Sequence, residues 1–264
     1  MSQSSNVRVE DLFQAALSDG AISSAAMKAL KVANYGAAIQ ANLGITPADV
    51  KAAEVMLLNL LLDDSGSIDE AGNTDAVRDG VNGVIDALTG AKKRDDVLVY
   101  VELLNKGLLQ PYVLLKDAPR LSAKNFRPYG QTPLFAKSVE FLGTVIAKAQ
   151  EFAMNGVACR TVSLIATDGG DNASGGTRAR DVAAIVRDML ATESHIIFGY
   201  GISDGFTDFE KVFAEMGVKK NSILTSANDP KGIREFFQLF SQSAVRASQN
   251  AQSFSKVAGG GFTS

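Results

Sequence analysis

The sequence is organised around Val55 to Ser67, reading VMLLNLLLDDSGS. The first half is an apolar run broken only by Asn59, with the length and character of a strand buried on both faces of a parallel sheet. A strand apolar on both sides needs helices above and below it, which commits the chain to an α/β fold. The second half, Asp63-Asp64-Ser65-Gly66-Ser67, has almost no apolar character. It sets a carboxylate and two hydroxyls at alternate positions, with Gly66 letting the chain turn, so hard oxygen atoms stand at the carboxyl end of the strand. Open α/β folds bind their ligands at that edge.

The rest of the chain alternates in the same manner. Asn73 or Thr74 can cap a helix whose Val77, Val81, Val84, Ile85 and Leu88 form one apolar face. A charged cluster at 92–96 precedes a near-continuous apolar strand, Val97 to Leu104. Asn105-Lys106-Gly107 is a hairpin signal leading into Leu109 to Leu115, so these two strands are expected to pair antiparallel. Helical spacing recurs in Phe135 to Ala149, Val182 to Leu190, Phe209 to Met216 and Ile233 to Ala244. Further strands are expected at Thr161 to Thr167, His195 to Tyr200 and Ile223 to Thr225. About six strands alternating with about six helices predict a doubly wound sheet with helices on both faces.

Residues 1–53 are Ala-rich and read as a helical extension. Val9, Leu12, Phe13, Ala16 and Leu17 keep helical spacing up to Gly20, and a second helix is expected from Ser23 or Ser24 to Gly44. Thr46-Pro47-Ala48-Asp49 combines a capping box with a first-turn proline. The apolar stripe of this extension predicts that it docks on the main domain, 54–247. Residues 248–264, with Gly259-Gly260-Gly261, read as a flexible tail.

Two more segments end in oxygen ligands. Thr161 to Thr167 runs into Asp168-Gly169-Gly170, and Tyr129-Gly130-Gln131-Thr132-Pro133 places a hydroxyl just before a long helix. Together with Asp63-x-Ser65-x-Ser67, these segments resemble the von Willebrand factor A (vWA) family. Its metal-ion-dependent adhesion site combines Asp-x-Ser-x-Ser, a later Thr before a helix and a later strand-terminal Asp. The resemblance covers about Ala53 to Arg246. It implies a Rossmann-like, mostly parallel six-stranded sheet with one antiparallel edge strand. It also implies that Asp63, Ser65, Ser67, Thr132 and Asp168 hold a divalent cation, the hydroxyls directly or nearly so and the two carboxylates directly or through water. Oxygen donors without imidazole or thiolate favour Mg²⁺, then Mn²⁺ or Ca²⁺. With few negative charges touching it, the ion stays electrophilic, and adhesion sites of the family use it to accept an Asp or Glu from a partner protein. Cytoplasmic bacterial relatives often serve as partners of AAA+ ATPases or sit in stress and tellurite-resistance systems, and the order of helix, motif and Phe-rich last helix is similar to theirs. Asp64, Asp69, Glu70 and Asp171 read as solvated residues on the rim.

Composition removes several classes of function. The balance of 26 basic against 29 acidic residues, net −3, without a basic run, argues against a nucleic-acid partner. No segment is long enough to span a bilayer, and the N-terminus lacks the basic start and apolar core of a signal peptide, so a cytoplasmic protein is expected. The single cysteine, Cys159, excludes an internal disulfide and suits a reducing compartment. It reads as a small apolar residue near a strand start. His195 lies at the amino end of its strand and reads as a core or edge residue, with the metal at the opposite edge. No His, Lys or Cys stands out beside the oxygen ligands as base or nucleophile, and no Gly-x-x-x-x-Gly-Lys-Ser/Thr loop occurs. A protein-binding module rather than an enzyme is therefore expected. The alternatives are a metal-dependent hydrolase, in which the ion polarises a phosphoryl or carbonyl oxygen, and an adhesin exported without a visible signal.

Overall fold

Apolar strands that need cover on both faces find it here in two helical layers. The computed structural model describes residues 7–32, 35–92 and 96–262. Among them, β1 (Glu54–Leu62), β2 (Val97–Leu103), β3 (Gly107–Leu114), β4 (Ala158–Thr167), β5 (His195–Ile202) and β6 (Ile223–Ser226) form one sheet of six strands, ordered β3-β2-β1-β4-β5-β6. The β2–β3 hairpin is antiparallel and the other neighbours are parallel. This is the Rossmann-like α/β fold expected from the sequence.

The winding of the chain decides where a ligand can sit. From β1 the chain passes through α4 (Gly66–Glu70) and α5 (Thr74–Thr89) to β2 on one side. It returns from β3 through α6 (Leu134–Met154) to β4 on the other side. The direction of winding therefore reverses between β1 and β4, and a crevice opens at their carboxyl ends.

Alternate residues of each strand face different layers. Leu57, Leu61, Ile165 and Ile197 pack towards α6, α7 (Ala179–Ala191) and α8 (Phe209–Glu215). Leu58, Leu60, Leu164 and Phe198 pack towards α5 and α9 (Pro230–Gln249).

The N-terminal helices complete the first of these layers. α1 (Val9–Ser18), α2 (Ser24–Val32) and α3 (Gly36–Asn42) bury Leu12, Phe13, Leu30 and Ile39 in the same apolar core as Val139, Leu142 and Ile146 of α6. α6 carries a glycine where they close on it: a Cβ on Gly143 would meet Leu30 Cδ2 at 2.7 Å and Ile39 Cδ1 at 3.0 Å. Asn42 Nδ2 donates to Tyr100 Oη at 2.9 Å and Thr144 Oγ1 at 3.2 Å, tying α3 to both sheet and helix. The single helix expected from Ser23 to Gly44 is two helices, and positions 33–34 between them lie outside the described residues. The Thr46 capping box is present, on a 3₁₀ turn Pro47–Asp49. Most of the charged cluster read at 92–96 lies outside the described residues, as do the first six residues of the N-terminal stretch.

The C-terminal segment corrects the sequence reading. Residues 248–262 are not a loose tail: after α9 ends, Asn250 accepts the Ser253 amide at 2.9 Å and opens α10 (Ala251–Gly260). Phe254 and Val257, three residues apart, are each 1% exposed, and Phe262 packs on Phe198 with ring centroids 4.3 Å apart. An asparagine cap and an apolar pair at helical spacing outweigh the three glycines. Gly261 leaves the helix, at φ 70°. No helix among the described residues is long and apolar enough to cross a membrane.

Candidate metal centre

The strand register builds the site. β1 and β4 pair Leu61 with Ile165 and Leu62 with Ala166, and the ladder runs one step further because Asp63 N donates to Ala166 O at 3.0 Å. Asp63 is thereby set beside Thr167 and Asp168. Its Oδ1 accepts Ser65 N at 2.8 Å, and its Oδ2 accepts Thr167 Oγ1 at 2.7 Å and Asp168 N at 3.3 Å. The carboxylate is held by three donors of the chain itself. Ser65 stands at the position just before α4 and Ser67 lies in its first turn, which brings their hydroxyl oxygens to 3.0 Å from each other. Both hydroxyls donate to Asp168 Oδ1, at 3.2 and 2.9 Å.

The third segment is laced to the other two through its backbone. Tyr129 N donates to Asp64 O at 2.6 Å, and Gly66 N donates to Gly130 O at 3.3 Å. Gly130 adopts φ 90°, and a Cβ there would lie 2.4 Å from Asn105 Nδ2, so a side chain fits neither conformation nor space. Thr132 N donates to Asn172 Oδ1 at 2.8 Å, and Asn172 N donates back to Thr132 O at 3.0 Å. A Cβ on Gly169 would lie 3.9 Å from Thr132 Oγ1, so this hydroxyl adjoins the residue after Asp168. The structure thus gathers all five residues singled out in the sequence at one edge of the sheet. Asp63, Ser65, Thr132 and Asp168 are at most 3% exposed, whereas Ser67 is exposed, so the cluster is closed from below and open to solvent on the side of α4.

Burial raises the pKa of Asp168 to about 7; the charge of Asp63 adds to the shift, and the Ser67 and Ser65 hydroxyls oppose it. Two carboxyls and three neutral hydroxyls at one buried edge are a set of hard oxygen donors whose excess negative charge a divalent cation would neutralise. That chemistry fits Mg²⁺, Mn²⁺ or Ca²⁺. Among the described residues no group of three or more His, Cys, Asp or Glu is placed to hold a metal ion, so a centre here would depend on its hydroxyls. Cys159 and His195 stand at the opposite end of the sheet, about 30 Å and about 23 Å away along β4. Burial pushes the Cys159 thiol up to about 12 and His195 down to about 4, and the His195 ring lies 2.7 Å from Thr161 Oγ1 through Nδ1.

Two of the acidic residues read as solvated rim groups are not. Asp64 is fully buried, and its carboxylate accepts Asn105 N at 2.6 Å and Lys106 N at 3.3 Å, fastening the β2–β3 turn. Burial raises its pKa. Asp171 is half-buried and accepts Phe135 N at 3.2 Å in the first turn of α6. Asp64 was misread because its partners are backbone amides 41 and 42 positions away, which leave no mark on the sequence. Thr167 and Asn172, which orient Asp63 and Thr132, were missed. The signal for Thr167 was faint but present: a hydroxyl immediately before a strand-terminal Asp can reach across to the neighbouring strand.

No family model matches the sequence, and no curated protein matches it at a significant level. Among solved structures, the chain is similar to the pilus adhesin SpaC from Lactobacillus rhamnosus GG in its open conformation, at 12% identity and TM-score 0.57 over 75% of this chain and 31% of that one. Proximal thread matrix protein 1 from the mussel byssus matches at 17% identity and TM-score 0.48, over 70% of this chain and 47% of that one. The SpRpn10 VWA domain matches at 10% identity and TM-score 0.46, over 69% of this chain and 93% of that one. The chain spans less than half the length of SpaC and of the mussel protein. The likeness to SpaC is one of fold, and the sheet order and helical layers described above are of the Rossmann-like α/β kind that the vWA resemblance implies.

Proposed function

We propose that this chain is a vWA-type module that binds a divalent cation through Asp63, Ser65, Ser67, Thr132 and Asp168, and through it an acidic side chain of a partner protein. The observation that carries the proposal is the convergence of the 63–67 and 167–168 segments, with Thr132 of a third segment beside Gly169. Ser65 and Ser67 both donate to Asp168 Oδ1, while Asp63 is fixed by Ser65 N, Thr167 Oγ1 and Asp168 N. Mg²⁺ is the first candidate, with Mn²⁺ or Ca²⁺ next; when bound it would supply a hard electrophilic centre suited to an Asp or Glu. Asp63 and Asp168 bring the negative charge, the three hydroxyls bring neutral donors, and exposed Ser67 leaves the approach open. Cys159 and His195, the residues best suited to act as nucleophile and base, lie at the other end of the sheet, which supports binding rather than catalysis. A cytoplasmic setting belongs to the proposal and rests on the lone cysteine. The partner would be a protein such as an AAA+ ATPase or a component of a stress-response system.

Calorimetric titration of chelator-stripped protein tests the metal. One saturable site for Mg²⁺ or Mn²⁺ is expected, weakened in Ser65→Ala, and the absence of saturable binding at millimolar metal overturns the reading. Affinity capture from the native cell with and without chelator, and with Asp168→Ala, then tests the bridge. Partners recovered equally in all three would place the contact elsewhere.

A further inference from the structure

Large apolar side chains left in water are informative when they gather. Among the described residues four are exposed: Leu108 at 39%, Tyr129 at 57%, Met154 at 54% and Phe206 at 96%. Met154 ends α6 at the amino edge of the sheet. The other three lie at the carboxyl edge, Tyr129 and Phe206 on loops beside the candidate metal centre and Leu108 at the start of β3.

Phe206 and Tyr129 are held in place by the chain. Asp204 Oδ1 accepts Phe206 N at 2.9 Å and Thr207 N at 2.7 Å, and its Oδ2 accepts Thr207 Oγ1 at 2.5 Å, so the loop after β5 is a closed turn presenting Phe206 outwards. That loop abuts the one after β4: a Cβ on Gly170 would lie 3.6 Å from Thr207 Oγ1. On the other flank, Tyr129 N is bonded to Asp64 O, and Asn105 Nδ2 donates to Tyr129 O at 2.6 Å. Lys106 Nζ stands 4.8 Å from the centre of the Tyr129 ring, adding positive charge on this side.

Phe206 follows β5, and the Tyr129 loop is tied to Asp64, just after β1, and to Asn105, just after β2. The metal centre sits between β1 and β4, midway along the row β2-β1-β4-β5. Three strand spacings separate β2 from β5, about 14 Å at the sheet edge from which the two loops leave. Residues two apart in an extended peptide are about 7 Å apart and project from the same side. An extended segment crossing this edge with an acidic residue at the centre therefore turns the side chains two before and two after it towards the loops that carry Tyr129 and Phe206.

We infer that the partner segment is an extended peptide of the pattern apolar-x-acid-x-apolar, read by Phe206 on one side and Tyr129, with Lys106 and Leu108, on the other. The inference rests on the acid-binding reading of the centre and adds to it the identity of the neighbouring positions. The test uses the full chain in Mg²⁺ and fluorescence anisotropy of three labelled synthetic peptides with Gly/Ser flanks: cores Leu-Ser-Asp-Ser-Leu, Ser-Ser-Asp-Ser-Ser and Leu-Ser-Asn-Ser-Leu. The first is expected to bind at least about tenfold more tightly than either other, the order of effect that burying two apolar side chains gives. Chelator is expected to abolish its binding. Phe206→Ala and Tyr129→Ala should each remove most of that advantage while leaving the calorimetric metal titration unchanged. Phe206 is almost wholly exposed, so its substitution leaves the fold intact. If the first two peptides bind equally and chelator abolishes both, the metal centre stands and the aromatic flanks are overturned. Should the Asn peptide match the Asp peptide, or none of the three bind, the acid-centred pattern is overturned along with the bridge.

Discussion

Asp63 and Asp168 are both carboxylates at the end of a strand, yet the chain treats them differently. Asp63 is satisfied by three donors of the protein, whereas Asp168 carries the cost of burial beside Asp63 and has its pKa raised to about 7. Without a cation the pair is a local source of repulsion; with one it is the main electrostatic attraction. Substituting Asp168→Asn preserves the shape and the acceptor for Ser65 and Ser67 while removing one charge. Metal-free protein should therefore gain about 1 kcal/mol of stability from relief of that repulsion, while Mg²⁺ affinity falls by about tenfold or more. Urea unfolding in chelator and calorimetric titration measure the two effects separately. Loss of stability in chelator would show that the carboxyl pair is not under electrostatic strain.

At the scale of elements, what was legible in the sequence was what depends on local periodicity. β1 was evident from its apolar run, the β2–β3 hairpin from Asn105-Lys106-Gly107, and α5 to α9 from apolar residues at helical spacing. The five candidate residues could be singled out for a related reason: each stands where a strand ends or a helix begins. What escaped were features fixed by distant partners. Asp64 answers amides across the sheet edge, and α10 is a helix because Phe254 and Val257 find a buried place against β5 and α9. Ser-rich and Gly-rich composition at 248–264 hid that apolar pair. If α10 belongs to the cooperative core, Phe254→Ala should cost about 3 kcal/mol in chemical denaturation, in line with other buried Phe truncations. A loss under about 0.5 kcal/mol, the size typical of a surface position, would mean that the segment contributes little to the fold.

The whole molecule is closed by polar groups as well as apolar ones where the N-terminal helices meet the sheet. Beneath them Glu102 of β2 is fully buried, 3.4 Å from Lys137 Nζ, which also pairs with Glu140 at 2.7 Å; Tyr100 Oη donates to the second oxygen of Glu102 and accepts from Asn42 of α3. Burial, with the charge of Glu140 adding to it and Lys137 opposing, lifts the Glu102 pKa from 4.5 to about 8. The folded chain then keeps the Glu102 proton over a range of pH in which the unfolded chain releases it. Between about pH 4.5 and 8 the native state binds more protons at this position, so its contribution to stability is full below that window, declines through it and is gone above it. Other carboxylates impose slopes of their own, and the comparison with Glu102→Gln isolates this one. The amide stands in for the neutral acid and has nothing to release. Relative to wild type, the variant should therefore gain stability steadily as pH rises from 5 to 8 and hold a constant advantage beyond, as read from urea midpoints at each pH. A difference independent of pH across that range would mean that Glu102 is ionised in the native protein and that Lys137, rather than a shared proton, balances the two carboxylates under the N-terminal helices.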